Sequence, residues 1–269
     1  MDINRVHEIY LQMLKELDDF FKTNNIKYYL SGGTLLGAIR EKGFIPWDDD
    51  CDINISREDY DRLKKISNQL KNHNMHLLDP YDKADYFQDY ISKIFWTKEV
   101  YREDKKYFDN YDGLYKYLWI DLFIYDDIPK EKKQKIFFIQ KIIYGLSMGH
   151  RKFYKIHENK SFILSCIGFI ISIVGKLFPL DILKKWHYNV STKYNNKNYG
   201  YIYCSKYSPA WMNTIVEKKL VENIIYVDFE NIKLPIIESY DKYLTHWYGD
   251  YMKRPEKNKQ IPEHKENVF

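Results

Sequence analysis

LSGGTLLGAIREKGFIPWDDDCDINI, residues 30–55, sets a glycine pair, Gly32 and Gly33, ahead of four carboxylates in five positions: Asp48, Asp49, Asp50 and Asp52. From Asp50 to Ile55 polar and apolar residues alternate. That is the period of a β-strand with one face toward a site, so the Asp50 and Asp52 side chains share a face. Just upstream, residues 27–31 (KYYLS) read as a short strand stopped by the glycines, after which Thr34 can cap a helical turn running to Arg40. The local order is strand, glycine turn, helix, a loop holding Gly43, Pro46 and Trp47, and an acidic strand.

Carboxylates so closely spaced repel one another strongly unless a cation neutralises them. An all-oxygen donor set without His or Cys suits magnesium or manganese rather than zinc. A solvated acidic loop is the plain alternative, but strand alternation behind a glycine turn favours a metal site. Asp48, Asp50 and Asp52 also begin like a calcium-binding EF-hand loop. Ile53 stands where that loop needs glycine and Asp59 where it needs a bidentate Glu, so the calcium reading fails. The D-x-D motif of a metal-dependent glycosyltransferase stays open. Glycines at 32 and 33 let the backbone approach a ligand closely, and the amides that open the next helix, through Thr34, suit phosphate oxygens. Arg40 and Lys42 are either phosphate contacts or exposed cations at a helix end.

Outward from this stretch, Val6, Ile9, Tyr10, Met13, Leu14, Leu17, Phe20 and Phe21 recur at steps of three and four, which predicts an amphipathic helix over residues 4–23. Residues 57–70 read as helix, and 90–96 and 117–125 (YLWIDLFIY) as strands, so the first half is mixed α/β. Helical periodicity returns over 130–150, opening on Lys130, Lys132, Lys133 and Lys135, read as a solvated face. Residues 161–175 (SFILSCIGFIISIVG) have no charge, but fifteen residues fall short of the ~20 that span a bilayer. They form either a buried helix, the favoured reading, or a segment dipping into a membrane surface, with Lys152, Lys155, Lys160, Lys176, Lys184 and Lys185 flanking it. A hairpin over 226–236 turning at Glu230 and Asn231, a helix over 238–248 stopped by Gly249, and an extended tail after Pro255 complete the chain.

With 269 residues, 45% hydrophobic and 30% charged, the chain has the balance of a globular protein able to bury a core. A net charge of +4 is too small for nucleic-acid binding by bulk electrostatics, and no nucleic-acid partner is expected. Cys51, Cys166 and Cys204 are widely spaced and form no C-x-x-C, which argues against a disulfide framework or a structural zinc site and fits a reducing compartment. The first residues show no apolar run after a basic start, so a cytoplasmic protein is expected.

A glycine turn followed by two alternating acidic residues resembles the nucleotidyltransferase fold, in which a third acidic residue on a later strand completes the metal cradle. Asp121 in WIDLF, residues 119–123, matches that position. Three blocks, GGTLLGAIREKGFIPWDDDCDI, IDLF and YLTHWYGDYMKRPEKNKQIPEH, are similar to the signature blocks of the LicD family, the phosphorylcholine transferases of bacterial surface glycans, relatives of the fukutin-type ribitol-phosphate transferases. They stand near the start, middle and end of the chain, while 150–200 is poorly diagnostic and Cys51 replaces a more usual aliphatic residue.

The resemblance implies an α+β fold: a nucleotidyltransferase-like mixed-sheet core over 1–128, then a largely helical C-terminal part over 129–269 with a short hairpin, packing on the core. It implies CDP-choline or another CDP-linked alcohol as donor. The acceptor is a hydroxyl of a cell-surface glycan, lipopolysaccharide or teichoic acid, lipid-linked or free, and CMP leaves. By carry-over, Asp50, Asp52 and Asp121 ligate magnesium, or manganese, across the diphosphate, and Asp121 accepts the hydroxyl proton. Asp48 and Asp49 orient these ligands or Arg40, while Gly32, Gly33, Thr34 and Arg40 contact donor phosphates. Trp47 offers an aromatic face to a trimethylammonium group or packs under its loop. Tyr248 to Met252 match a family block whose role the residues do not disclose. Of the two readings of the apolar segment, the one that meets a membrane would set residues 161–185 against the inner face of the cytoplasmic membrane. Rival readings are a nucleotidyltransferase that adds a nucleoside monophosphate and releases pyrophosphate, a metal-dependent glycosyltransferase, and a non-catalytic relative that binds glycan or nucleotide.

Overall fold

The computed structural model describes residues 2–82, 87–101, 113–151, 162–205 and 214–262. Its first element, α1 (Ile3–Thr23), is capped by Asp2, whose side chain accepts from the Asn4 amide. All eight periodic apolar residues of α1 are buried, so the spacing in the sequence is the face that packs. The chain continues through β1 (Tyr28–Leu30), α2 (Gly32–Arg40), β2 (Asp52–Ser56), α3 (Arg57–Lys65), β3 (Met75–Leu78), β4 (Ser92–Trp96) and β5 (Trp119–Asp127).

Two compact units share the chain. Unit 1 comprises Met1–Leu78, Ser92–Ile124 and Lys218–Phe269; unit 2 comprises Asp79–Ile91 and Tyr125–Glu217. In unit 1 the strands lie in the order β1-β2-β5-β4-β3 of a mixed sheet. Alternation divides its two faces. Ile53, Ile55, Ile94, Ile120, Leu122 and Ile124 are wholly buried on one of them. Tyr28, opposite Ile55, shares that side and meets α1, with its ring 5.0 Å from Phe21 and its hydroxyl donating to Asp18 (3.0 Å). The other face holds Asp52 and Asn54 of β2, Asp121 of β5 and Lys93 of β4, with Lys93 directly opposite Asp121.

Unit 2 contains α4 (Lys133–Ser147), α5 (Phe162–Gly175), α6 (Leu180–Thr192), β6 (Tyr201–Cys204) and β7 (Ile215–Glu217). β6 pairs antiparallel with the end of β5, and β7 with β6. Buried polar groups tie the helices: Gln140 Nε2 donates to Ser191 Oγ and Tyr203 Oη (both 3.0 Å), and His187 stacks on Tyr90 at 3.7 Å. Back in unit 1, β8 (Ile224–Phe229) and β9 (Ile232–Ile237) form a hairpin ahead of α7 (Tyr240–Tyr248).

The C-terminal part is therefore not largely helical: beside α4 to α7 it contains four strands, β6 to β9. β6 and β7 are four and three residues long, too short to print an alternation into the sequence. The helix expected over 57–70 ends at Lys65, and a 3-10 turn, Ser67–His73, closes on left-handed Asn74 before β3, a strand the sequence did not signal. Helix α2 starts at Gly32 with Ser31 as its cap, not at Thr34, and β2 starts at Asp52, so Asp50 lies in the approach to the strand. The tail after Pro255 includes a 3-10 turn, Lys257–Lys259. Lys152, Lys155 and Lys160, and Glu263 and His264 of the third block, lie outside the described residues.

Candidate active site

Backbone hydrogen bonds join the start of α2, the start of β2 and the middle of β5. The Ser31 amide donates to the Asp52 carbonyl (3.0 Å), the Asp52 amide to Thr34 Oγ1 (2.9 Å) and the Asp121 amide to the Cys51 carbonyl (2.9 Å). Thr34 is buried, and its hydroxyl serves to position β2. Gly32 has φ +51°, the left-handed region that favours glycine, and a Cβ there would stand 2.6 Å from Asp52 Oδ2. A Cβ on Gly33 would collide with Asp48 Oδ2. The glycine pair is thus the floor on which two carboxylates rest.

Burial drives the Asp52 carboxyl well above the usual range for Asp, and the charges of Asp50, Asp121 and Asp48 add to it while Lys93 opposes. Asp50, Asp121 and Asp48 therefore all lie within electrostatic reach of Asp52. Asp121 Oδ1 accepts from Lys93 Nζ at 2.6 Å, with the lysine side chain 5% and the aspartate 18% exposed. Among the described residues, no three His, Cys, Asp or Glu side chains stand arranged as a ready metal cage. The donor set nevertheless fits a hard dication in kind and in charge: it is all oxygen, its members repel, and the missing Cβ atoms of the glycines let the Asp52 and Asp48 carboxylates lie close over the start of α2.

Behind the carboxylates lies a polar layer. Asn54 follows Asp52 by two positions on β2 and stands opposite Tyr29, so it shares the carboxylate face. Asn54 and Ser31 are wholly buried, and neither the Asn54 amide nor Ser31 Oγ has a hydrogen-bond partner among the described residues. A buried polar group left so costs about 1–3 kcal/mol. Asp49, by contrast, is wholly buried in the loop.

The C-terminal elements of unit 1 hold this loop and helix from outside. Glu230, at the β8–β9 turn with φ +52°, accepts from the Phe44 amide (3.0 Å), while its own amide donates to the Lys42 carbonyl (2.8 Å). His7 of α1 stacks on Phe44 at 4.5 Å and donates from Nε2 to the Asp48 carbonyl (2.8 Å). Arg40 stands at the far end of α2 from the glycine floor, bonded to Glu41 (2.8 Å) and to the Tyr251 carbonyl (3.2 Å). Arg254 grips both oxygens of Glu41. The third sequence block is thereby fastened to the first. Tyr248, at the end of α7, is 46% exposed, and its phenol is pushed above its ordinary range by partial burial and then by Asp52, with Tyr243, Asp48 and Asp50 adding. Trp47 is half-buried in the loop.

Lys93, Asn54, Glu230 and Tyr248 were not read as site residues from the sequence. Asn54 carried a usable signal, since alternation puts it on the face of Asp52, and Tyr248 stood in the third sequence block without a role; Lys93 and Glu230 come from distant segments and carried none.

Residues 25–147 match the family model described as the LicD/FKTN/FKRP nucleotidyltransferase domain. The chain is 31% identical over 251 residues, 91% of its length and 89% of the relative, to the lipopolysaccharide cholinephosphotransferase LicD of Haemophilus influenzae. A 60-residue stretch is 47% identical to an uncharacterised protein of Rickettsia prowazekii, covering 22% of this chain and 23% of that one.

Proposed function

Because the chain belongs to the LicD/FKTN/FKRP nucleotidyltransferase family, we propose that it transfers phosphocholine, or a similar phospho-alcohol, from a CDP-linked donor to a hydroxyl of a bacterial cell-surface glycan, releasing CMP. The observation that carries this reading is the convergence of Asp48, Asp50, Asp52 and Asp121 above a glycine floor at a helix start. Asp50, Asp52 and Asp121 hold magnesium or manganese, which when bound neutralises phosphoryl charge and eases the departure of CMP. The amides of Gly32, Gly33 and Thr34 face the donor phosphates. Asp48 and Asp49 orient the ligands, and Arg40 braces the phosphate-binding helix from its far end. Asp121 accepts the proton of the attacking hydroxyl, and Lys93 holds its carboxylate in place before the substrate arrives. Trp47 offers its ring to the quaternary ammonium of the alcohol. A cytoplasmic location goes with this reading.

The test is incubation with CDP-choline, CDP-ribitol and CDP-glycerol, with magnesium or with EDTA, while CMP and pyrophosphate are measured. Metal-dependent CMP is expected, slowly even without acceptor, and the preferred donor names the alcohol. CMP formation unchanged by EDTA would remove the metal from the reading. Pyrophosphate released from a nucleoside triphosphate would favour nucleotidyl transfer, the second reading, which the description of the matching family model supports.

A further inference from the structure

Helix α5 is apolar on both sides in sequence, and among the described residues only one side of its second half is packed. Its inner side lies close against α4: a Cβ on Gly145 would sit 3.0 Å from Ile171, Gly149 abuts the Ser172 carbonyl, and Gly175 abuts Leu146. On the outer side Phe169, Ile170, Ile173, Val174 and Leu177, on the turn that follows, are between 40% and 80% exposed. Their spacing puts them on one face. The stripe continues to α6, where Trp186, itself exposed, meets Phe178 with ring centroids 5.6 Å apart. An apolar surface of this extent marks a contact face rather than chance exposure.

Charge decides what covers it. Residues 130–193 contain 13 Lys and Arg against 3 Asp and Glu, whereas the whole chain has 42 against 38. The positive excess is therefore confined to this stretch, and the rest of the chain is net acidic. Lys176 and Lys185 are exposed beside the stripe. A second copy of the chain would bring the same positive charge against itself. An anionic bilayer satisfies both features, since apolar side chains enter the acyl boundary while ammonium groups stay among the headgroups. With fourteen residues α5 is too short to cross, and no described helix is long and apolar enough to do so.

We propose that the outer face of α5, continued through Leu177 to Trp186, docks this chain on the surface of an anionic phospholipid membrane without spanning it. The test is flotation of the full chain with vesicles of phosphatidylcholine, with or without phosphatidylglycerol. The protein should float with the anionic vesicles, and added salt should weaken the association. The double variant Ile170→Asp, Ile173→Asp should bind at least about tenfold more weakly, and Lys176→Glu, Lys185→Glu should lose the preference for anionic lipid. If the helix variant fails to fold by circular dichroism, Leu177→Asp, at the most exposed apolar position, takes its place. Wild-type protein that stays below both vesicle types overturns the proposal, as does an apolar-face variant that floats as well as wild type. A dimer in light scattering that the same variant converts to monomer, with no flotation, would assign the face to a second copy instead.

Discussion

Lys93 Nζ lies 2.6 Å from Asp121 Oδ1 across the β4–β5 pair, the two residues standing directly opposite in register. This contact puts a cation among carboxylates that otherwise repel one another. Removing one member of a largely buried pair leaves the other charge uncompensated. Lys93→Met should therefore destabilise the metal-free protein by roughly 2–4 kcal/mol. Magnesium should then stabilise the variant more than wild type, which thermal melts with EDTA and with magnesium measure directly. Equal magnesium shifts in the two proteins would separate Lys93 from the cation site.

Burial and the charges of Asp50, Asp121 and Asp48 oppose ionisation of the Asp52 carboxyl. Asp52→Asn removes one repelling charge and keeps the shape, so the fold should hold or gain stability. Transfer should fall by at least ~10³ if the carboxylate is a metal ligand. Substantial turnover in this variant, measured as CMP release, would sink the proposed role.

A Cβ on Gly33 would strike the Asp48 carboxylate, the movable end of a side chain. Gly33→Ala should lower donor affinity by about tenfold or more, since the Asp48 carboxylate must turn out of its place over the start of the helix. Secondary structure should be retained, as alanine is a good helix former. Donor titration by calorimetry checks the first expectation and circular dichroism the second.

Asn54 is buried, and its amide has no partner among the described residues. Replacing such a group by an apolar one of similar size relieves a desolvation cost, so Asn54→Leu should raise stability by about 1 kcal/mol in urea melts. Transfer should slow, because a costly polar group beneath the carboxylates is expected to serve the ligand. A loss of stability would instead show that trapped water satisfies the amide.

Burial works to raise the Glu41 carboxyl, but hydrogen bonds from Arg254 and Arg40 outweigh it and hold the group below its ordinary value of 4.5. Its contribution to stability is then fully present above that value and is lost as pH falls through the lower folded-state pKa, because the unfolded chain binds the proton first. Glu41→Gln should flatten the acid limb of the stability profile. Arg254→Ala should do the same, and proteolysis after Tyr248 should quicken in both as the third block loosens from α2. An unchanged acid limb in both variants would leave the clamp without energetic weight.

Much of the fold was legible in the letters where structure depends on near neighbours. The periodic face of α1 and the order β1, glycine turn, helix, β2 follow from steps of two, three or four residues, whereas Asp50 stands before β2 rather than in it. The β8–β9 hairpin was legible for the same reason. The short strands β3, β6 and β7 were not, because a strand of three or four residues owes its existence to its pairing partner rather than to its own pattern.

The sequence by itself determined that an acidic strand follows a glycine turn and that residues 130–193 hold the positive charge. It also determined that residues 161–175 are too apolar for an ordinary surface helix and too short for a span. Only the tertiary structure decided that Lys93 neutralises Asp121, that Glu41 is held by Arg254, and that one side of α5 stays uncovered. Each of these is a meeting of segments far apart in the chain, and such contacts are selected by packing of the whole domain, which no local period records.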